Sequence, residues 1–152
     1  MNITVLCVGN IKEKFYKDAC AEYVKRIGRF GKVSVTEVDE CHTAGNQDKE
    51  KEGALILKKI ALSSLKIALC VEGKRESSEE LAKLIKDAAI GGKSDITFII
   101  GGSEGLSDEV KNAADVRLSF SDMTFPHQLM RVILFEQVYR AFKINAGERY
   151  HK

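Results

Sequence analysis

Apolar residues in this chain switch repeatedly between runs of strand length and stretches with helical spacing, and that alternation leaves few folds open. Strand-like runs occupy Ile3 to Gly9, Lys32 to Asp39, Lys66 to Glu72, Asp95 to Gly101 and Val116 to Phe120. Helix-like segments separate them, so each strand can return parallel to its neighbour through a crossover. The pattern predicts an α/β domain with a mostly parallel sheet flanked by helices. With 152 residues and 44% hydrophobic content, the chain suffices for one domain, and no internal repeat or low-complexity run suggests a second.

The helical segments differ in how they face the sheet. Phe15 to Ile27 carries Tyr16, Cys20, Tyr23, Val24 and Ile27 on one side. Ser77 and Glu80 form a capping box ahead of Leu81, Leu84, Ile85 and Ala88, and Gly91-Gly92 ends that helix. The polar stretch Glu40 to Lys51 reads as a mobile surface loop leading into a helix over Gly53 to Leu62. Ser107 can cap a short helix with Asp108 and Glu109 in its first turn. The last helix, Phe125 to Asn145, is apolar on two sides: Met130, Ile133, Leu134 and Val138 form one seam, and Val132, Phe135, Tyr139 and Phe142 another. Two apolar sides call for two partners, the sheet and a second copy of the chain in a symmetric homodimer.

Several function classes drop out. The N-terminus lacks the basic region and cleavage site of a signal peptide. No apolar run approaches membrane-spanning length, so a soluble, cytoplasmic protein is expected. Cys7, Cys20, Cys41 and Cys70 are scattered without metal-ligand spacing, so no metal is expected, and Cys7 and Cys70 read as small buried hydrophobes. The net charge of +2 is modest, but it is uneven: from Arg131 onward five basic residues face two acidic ones.

Chemistry concentrates in the final third. Gly101-Gly102-Ser103-Glu104-Gly105 follows an apolar strand, where open α/β sheets bind ligands. Its spacing is not that of a dinucleotide fingerprint, and Gly92-Lys93-Ser94 lacks the first glycine of a phosphate-binding loop, since position 87 is aspartate. Pro126, the chain's single proline, sits where a loop turns into the last helix. His127 and Arg131, four apart, share a helix face near its first turn. Apart from the neighbours Cys41-His42 no cysteine lies near a histidine, and no Ser-His-Asp or Cys-His constellation can be argued from the sequence. The residues predict a small-molecule pocket built largely from backbone.

Ile100 to Leu106, the segment Leu118 to His127, the helix from Arg131 to Phe142 with Glu136-Gln137-Val138-Tyr139-Arg140-Ala141, and the tail Tyr150-His151-Lys152 resemble the RlmH (YbeA) family. These are ribosomal RNA large subunit methyltransferases of the SPOUT superfamily. The resemblance implies a SPOUT-type α/β knot with a C-terminal trefoil knot, one domain over residues 1–152, and the knot and dimer helix within about residues 95–152. It implies a homodimer that uses S-adenosylmethionine to methylate N3 of a pseudouridine in 23S rRNA of the assembled ribosome. Cofactor positions would be Leu69, Gly101 and the run Phe120, Ser121, Asp122, Met123, Thr124 and Phe125. Candidate catalytic groups are His127, Arg131, Tyr150 and His151, and candidate RNA contacts are Arg140, Arg149 and Lys152. The alternative from another class is a non-catalytic RNA-binding or ribosome-associated module of the same fold.

Overall fold

β1 (Asn2–Val8) runs through the middle of the molecule, because its side chains are apolar on both faces: Ile3, Val5 and Cys7 point one way, Leu6 and Val8 the other. A strand buried on both faces is characteristic of a parallel sheet covered by helices. The computed structural model describes residues 1–43 and 47–152. Its further strands are β2 (Lys32–Val38), β3 (Leu65–Arg75), β4 (Asp95–Ile100) and β5 (Val116–Ser119). They pair in the order β2-β1-β4-β3-β5, every pairing parallel.

The helices are α1 (Lys14–Ile27), α2 (Asp48–Lys59), α3 (Ser78–Ile90), α4 (Asp108–Ala113) and α5 (His127–Asn145). The β1 alternation sorts them into layers. Ile3, Val5 and Cys7 join Ile27 of α1, Leu81 and Ile85 of α3, and Leu134, Phe135 and Val138 of α5 in the larger core. Leu6 and Val8 join Ile56 of α2 and Val110 of α4 in the smaller one. α5 is the central helix of its layer, packed between α1 and α3. This corrects the two-sided reading of the helix: Leu134 and Val138 of one seam and Phe135 and Phe142 of the other are buried in the same core.

Local chemistry fixes the element ends. The Ser77 hydroxyl accepts the Glu80 N–H at 3.2 Å while the Glu80 carboxylate accepts the Ser77 N–H at 2.6 Å, so the expected capping box is formed. Ser77→Ala is expected to cost about 1 kcal/mol in urea denaturation, the usual worth of such a cap. Ser107 likewise caps α4 through the Val110 N–H.

Two expectations change. The stretch Glu40 to Lys51 is not wholly loop: α2 begins at Asp48, five residues before the predicted start, and residues 44–46 of that stretch lie outside the described residues. The first turn of α2 carries Asp48 and Glu50, whose charges suit a helix N-terminus but give no apolar period to read. β3 also runs beyond Glu72, and it pairs with β5 in two stages: Leu69 and then Lys74 both stand opposite Leu118. Residues 70–73 therefore leave the ladder. Gly73 makes this possible, since a Cβ there would stand 2.7 Å from the Leu118 carbonyl carbon.

Candidate active site

A cavity of about 680 Å³ opens at the carboxyl ends of β3, β4 and β5, walled by the turn after β4, the loop after β5 and the displaced residues of β3. The turn closes through the Gly105 N–H, which donates to the Gly102 carbonyl at 3.0 Å. A Cβ on Gly101 would stand 2.5 Å from the Gly105 carbonyl carbon, and Gly105 itself has φ +77°, so glycine is required at both ends. In the loop after β5, the Ser119 hydroxyl donates to the Ser121 carbonyl and the Ser121 hydroxyl accepts the Met123 N–H, both at 3.0 Å. These bonds turn the chain away from β5 and into Pro126 and α5.

Of the residues expected to hold the cofactor, Leu69, Gly101, Phe120, Ser121, Met123, Thr124 and Phe125 line this cavity. Asp122 does not: its carboxylate turns outward to the Arg75 guanidinium at 2.8 Å. His127 joins the lining from the first turn of α5. Residues that no motif singled out are also there, namely Cys70, Glu72, Lys49 and Lys111. Glu72 pairs with Lys111, whose ammonium holds the Glu72 carboxyl below its ordinary range. Burial pushes the Cys70 thiol up, so little of it is thiolate near neutrality. The same cause drives buried Cys7 to about 12, consistent with an inert core thiol.

Arg131 lies elsewhere. It is 2% exposed, with its guanidinium donating to Glu37 at 2.5 Å and to the Gly9 carbonyl, and it lines a separate hollow of about 500 Å³ between α1, β2 and α5. Its Nε, buried as well, has no hydrogen-bond partner among the described residues. The predicted shared face with His127 holds in one respect: a Cβ on Gly9 would stand 3.9 Å from His127 Nε2, so both side chains converge on the end of β1. The surroundings make Arg131 a tie between α5 and the β1–β2 edge.

The tail forms its own network over the second half of α5. The Tyr150 hydroxyl donates to Glu136 at 3.1 Å, Arg140 pairs with Glu136, and His151 bridges Arg140 Nη1 at 3.2 Å and Glu79 at 2.7 Å. The Arg140 guanidinium lies 4.8 Å from the Tyr150 ring centroid. Burial, helped by the Glu136 carboxylate, pushes the Tyr150 phenol up to about 12, so it stays a hydrogen-bond donor. Arg149 and Lys152 are exposed. The ten residues from Met130, in the cavity wall, to Arg140 span about 15 Å of helix. Within one chain, then, Tyr150, His151 and Arg140 do not meet the cavity.

Among the described residues no group of His, Cys, Asp and Glu could hold a metal ion, and no helix is long and apolar enough to cross a membrane. Residues 1–151 match the family described as Predicted SPOUT methyltransferase. The chain is 54% identical to ribosomal RNA large subunit methyltransferase H of Clostridium novyi, with all of both chains covered. Among solved structures, it is similar to a probable methyltransferase of Bordetella pertussis, with a TM-score of 0.58 at 12% identity over 92% of this chain and 95% of that one. It is also similar to a protein of Legionella pneumophila solved in complex with the bound cofactor SAM, with a TM-score of 0.52 at 12% identity over 93% of this chain and 66% of that one. The last two likenesses are of fold. With full-length identity of this order and a family match over nearly every residue, the chain belongs to the SPOUT methyltransferases, in the ribosomal RNA large subunit methyltransferase H family.

Proposed function

We propose that the protein transfers the methyl group of S-adenosylmethionine to N3 of a pseudouridine in 23S rRNA of the assembled large subunit, and that it does so as a homodimer. The observation that carries this reading is the cavity at the carboxyl ends of β3, β4 and β5, built from the glycine turn and the 120–125 loop. Its volume of about 680 Å³ lies within the range of small-molecule sites and suits a nucleoside joined to an amino acid. Leu69, Leu118, Phe120 and Met130 offer the apolar wall, and the turn offers backbone polar groups within reach of the ligand.

Bound there, S-adenosylmethionine supplies an electrophilic methyl group on a sulfonium. The protein's share of the work is mainly positioning: the turn and the loop fix the donor, and the apolar wall keeps water from competing with the acceptor nitrogen. N3 of the acceptor carries a proton that must leave. His127 lines the cavity and offers a ring nitrogen as the acceptor of that proton.

The dimer completes the site. Leu129 and Ile133 of α5 remain half-buried on the helix face away from the sheet, an apolar row suited to a second copy. Two α5 helices packed antiparallel about a two-fold axis would bring Tyr150, His151, Arg140, Arg149 and Lys152 of one subunit toward His127 and the 120–125 loop of the other. Charge from that tail would engage rRNA phosphates, and Tyr150 would stack or hydrogen-bond at the target nucleotide. All 152 residues act as one methyltransferase unit, with the family's knot and the dimer helix within residues 95–152. A ribosomal substrate places the work in the cytoplasm.

Titration of the purified protein with S-adenosylmethionine, followed by incubation with large ribosomal subunits, tests the reading. Saturable binding and methyl incorporation into 23S rRNA are expected. A folded, RNA-binding protein that takes up no cofactor would instead be a ribosome-associated module.

A further inference from the structure

One buried acid is left without a part in this chemistry. Glu52, on α2, is 4% exposed, and its carboxylate is not offset by a basic side chain in the way that Glu37 offsets Arg131. Glu52 Oε1 accepts the Cys41 N–H at 3.0 Å, which ties α2 to the segment following β2. Its other oxygen faces the glycine turn: a Cβ on Gly102 would stand 3.0 Å from Glu52 Oε2 and 3.1 Å from a Val8 methyl group. The next residue, Gly53, lies against Ser107, two residues past that turn, since a Cβ there would run into the Ser107 hydroxyl that caps α4. Consecutive residues of one helix thus pack against the glycine turn and against the helix cap that follows it.

We propose that Glu52 is a positioning residue for the cofactor site, bracing the Gly101–Gly105 turn from below and joining it to the segment after β2. The inference rests on the reading of the cavity as the cofactor site. A carboxyl buried without a cation is costly to ionise, so the brace is weakened when Glu52 takes up a charge. Burial raises the Glu52 carboxyl above the ordinary carboxylate range, and the nearby carboxylates Glu40 and Asp48 push the same way. The Cys41 N–H and His42 oppose them. In the folded chain this proton is held to higher pH than in the unfolded chain. Stability from this group is therefore present at and below the ordinary carboxylate range and falls as pH rises through the raised value. Ionisation would put a negative charge beneath the turn and loosen it.

The test compares wild type, Glu52→Gln and Glu52→Ala from about pH 5 to about pH 9. Glutamine keeps the shape and stays neutral, whereas alanine removes the brace. Hydrogen-exchange protection at the amides of residues 101–106 reads the turn directly, and titration with S-adenosylmethionine reads the site. Wild type is expected to lose about tenfold in both protection and affinity as pH rises, while Glu52→Gln holds its low-pH values and Glu52→Ala is low throughout. A Glu52→Gln variant as unprotected as Glu52→Ala, or one that follows the wild-type pH profile, would overturn the inference. If protection follows the expected pattern and wild type itself binds no S-adenosylmethionine, the brace stands and the cofactor reading falls.

Discussion

Gly101→Ala is expected to lower S-adenosylmethionine affinity and methyl transfer by at least about a hundredfold. The reason is steric and local. The added Cβ would stand 2.5 Å from the Gly105 carbonyl carbon, 2.6 Å from its oxygen and 2.9 Å from the Leu106 nitrogen. All three are backbone atoms, so no side chain can rotate out of the way. Either the turn opens or the end of β4 shifts, and both displace the wall against which the ligand rests. Gly92→Ala is the control: Gly92 has φ +80° with open space around its Cβ position, far from the cavity lining. It should cost about 1 kcal/mol of stability through its left-handed backbone and leave cofactor affinity unchanged. Calorimetric titration and thermal denaturation of the two variants separate loss of the site from loss of the fold.

Removing Arg149 to Lys152 is expected to reduce methylation to background while cofactor affinity stays within about twofold of wild type. In one chain the tail meets Glu136, Arg140 and Glu79 and none of the cavity wall. A tail that served only its own helix would be dispensable for turnover, since Glu136 and Arg140 still pair without it. A tail that completes the partner's site would not be. Mixing the truncated chain with a Gly101→Ala chain sharpens the result. The mixed dimer joins one intact cavity to one intact tail in trans, and it should recover part of the lost activity. No recovery, with mixed dimers demonstrated, would show that tail and cavity act within the same chain.

Local patterns carried the layer architecture of this protein. β1 alternates Ile3, Val5 and Cys7 against Leu6 and Val8, and the Ser77–Glu80 box starts α3 where it should. The glycine turn and the loop before Pro126 were legible as pocket walls because strand ends and glycines mark such places. What escaped depends on register and tertiary placement. The departure of residues 70–73 from the sheet, which brings Cys70 and Glu72 to the cavity, arises from Leu118 pairing twice with β3. Nothing in the run Leu69 to Arg75 announces it except Gly73. The early start of α2 was hidden by its charged first turn. Glu52 belongs to no motif or apolar period, and only the fold buries it beneath the turn. Arg131 was a candidate catalytic group on the face shared with His127, yet it is buried against Glu37 and Gly9, outside the cavity lining. The cofactor, the modified nucleotide and the knot came from family resemblance, since no spacing of residue types encodes them.

A chain that methylates a pseudouridine of large-subunit rRNA leaves its mark on the ribosome of the living cell. Mass spectrometry of 23S rRNA from cells with and without the gene measures that directly. A 3-methylpseudouridine is expected that disappears with the gene and returns when the wild-type gene is restored, but not when the Gly101→Ala gene is. An identical pseudouridine methylation pattern in both cells would contradict it.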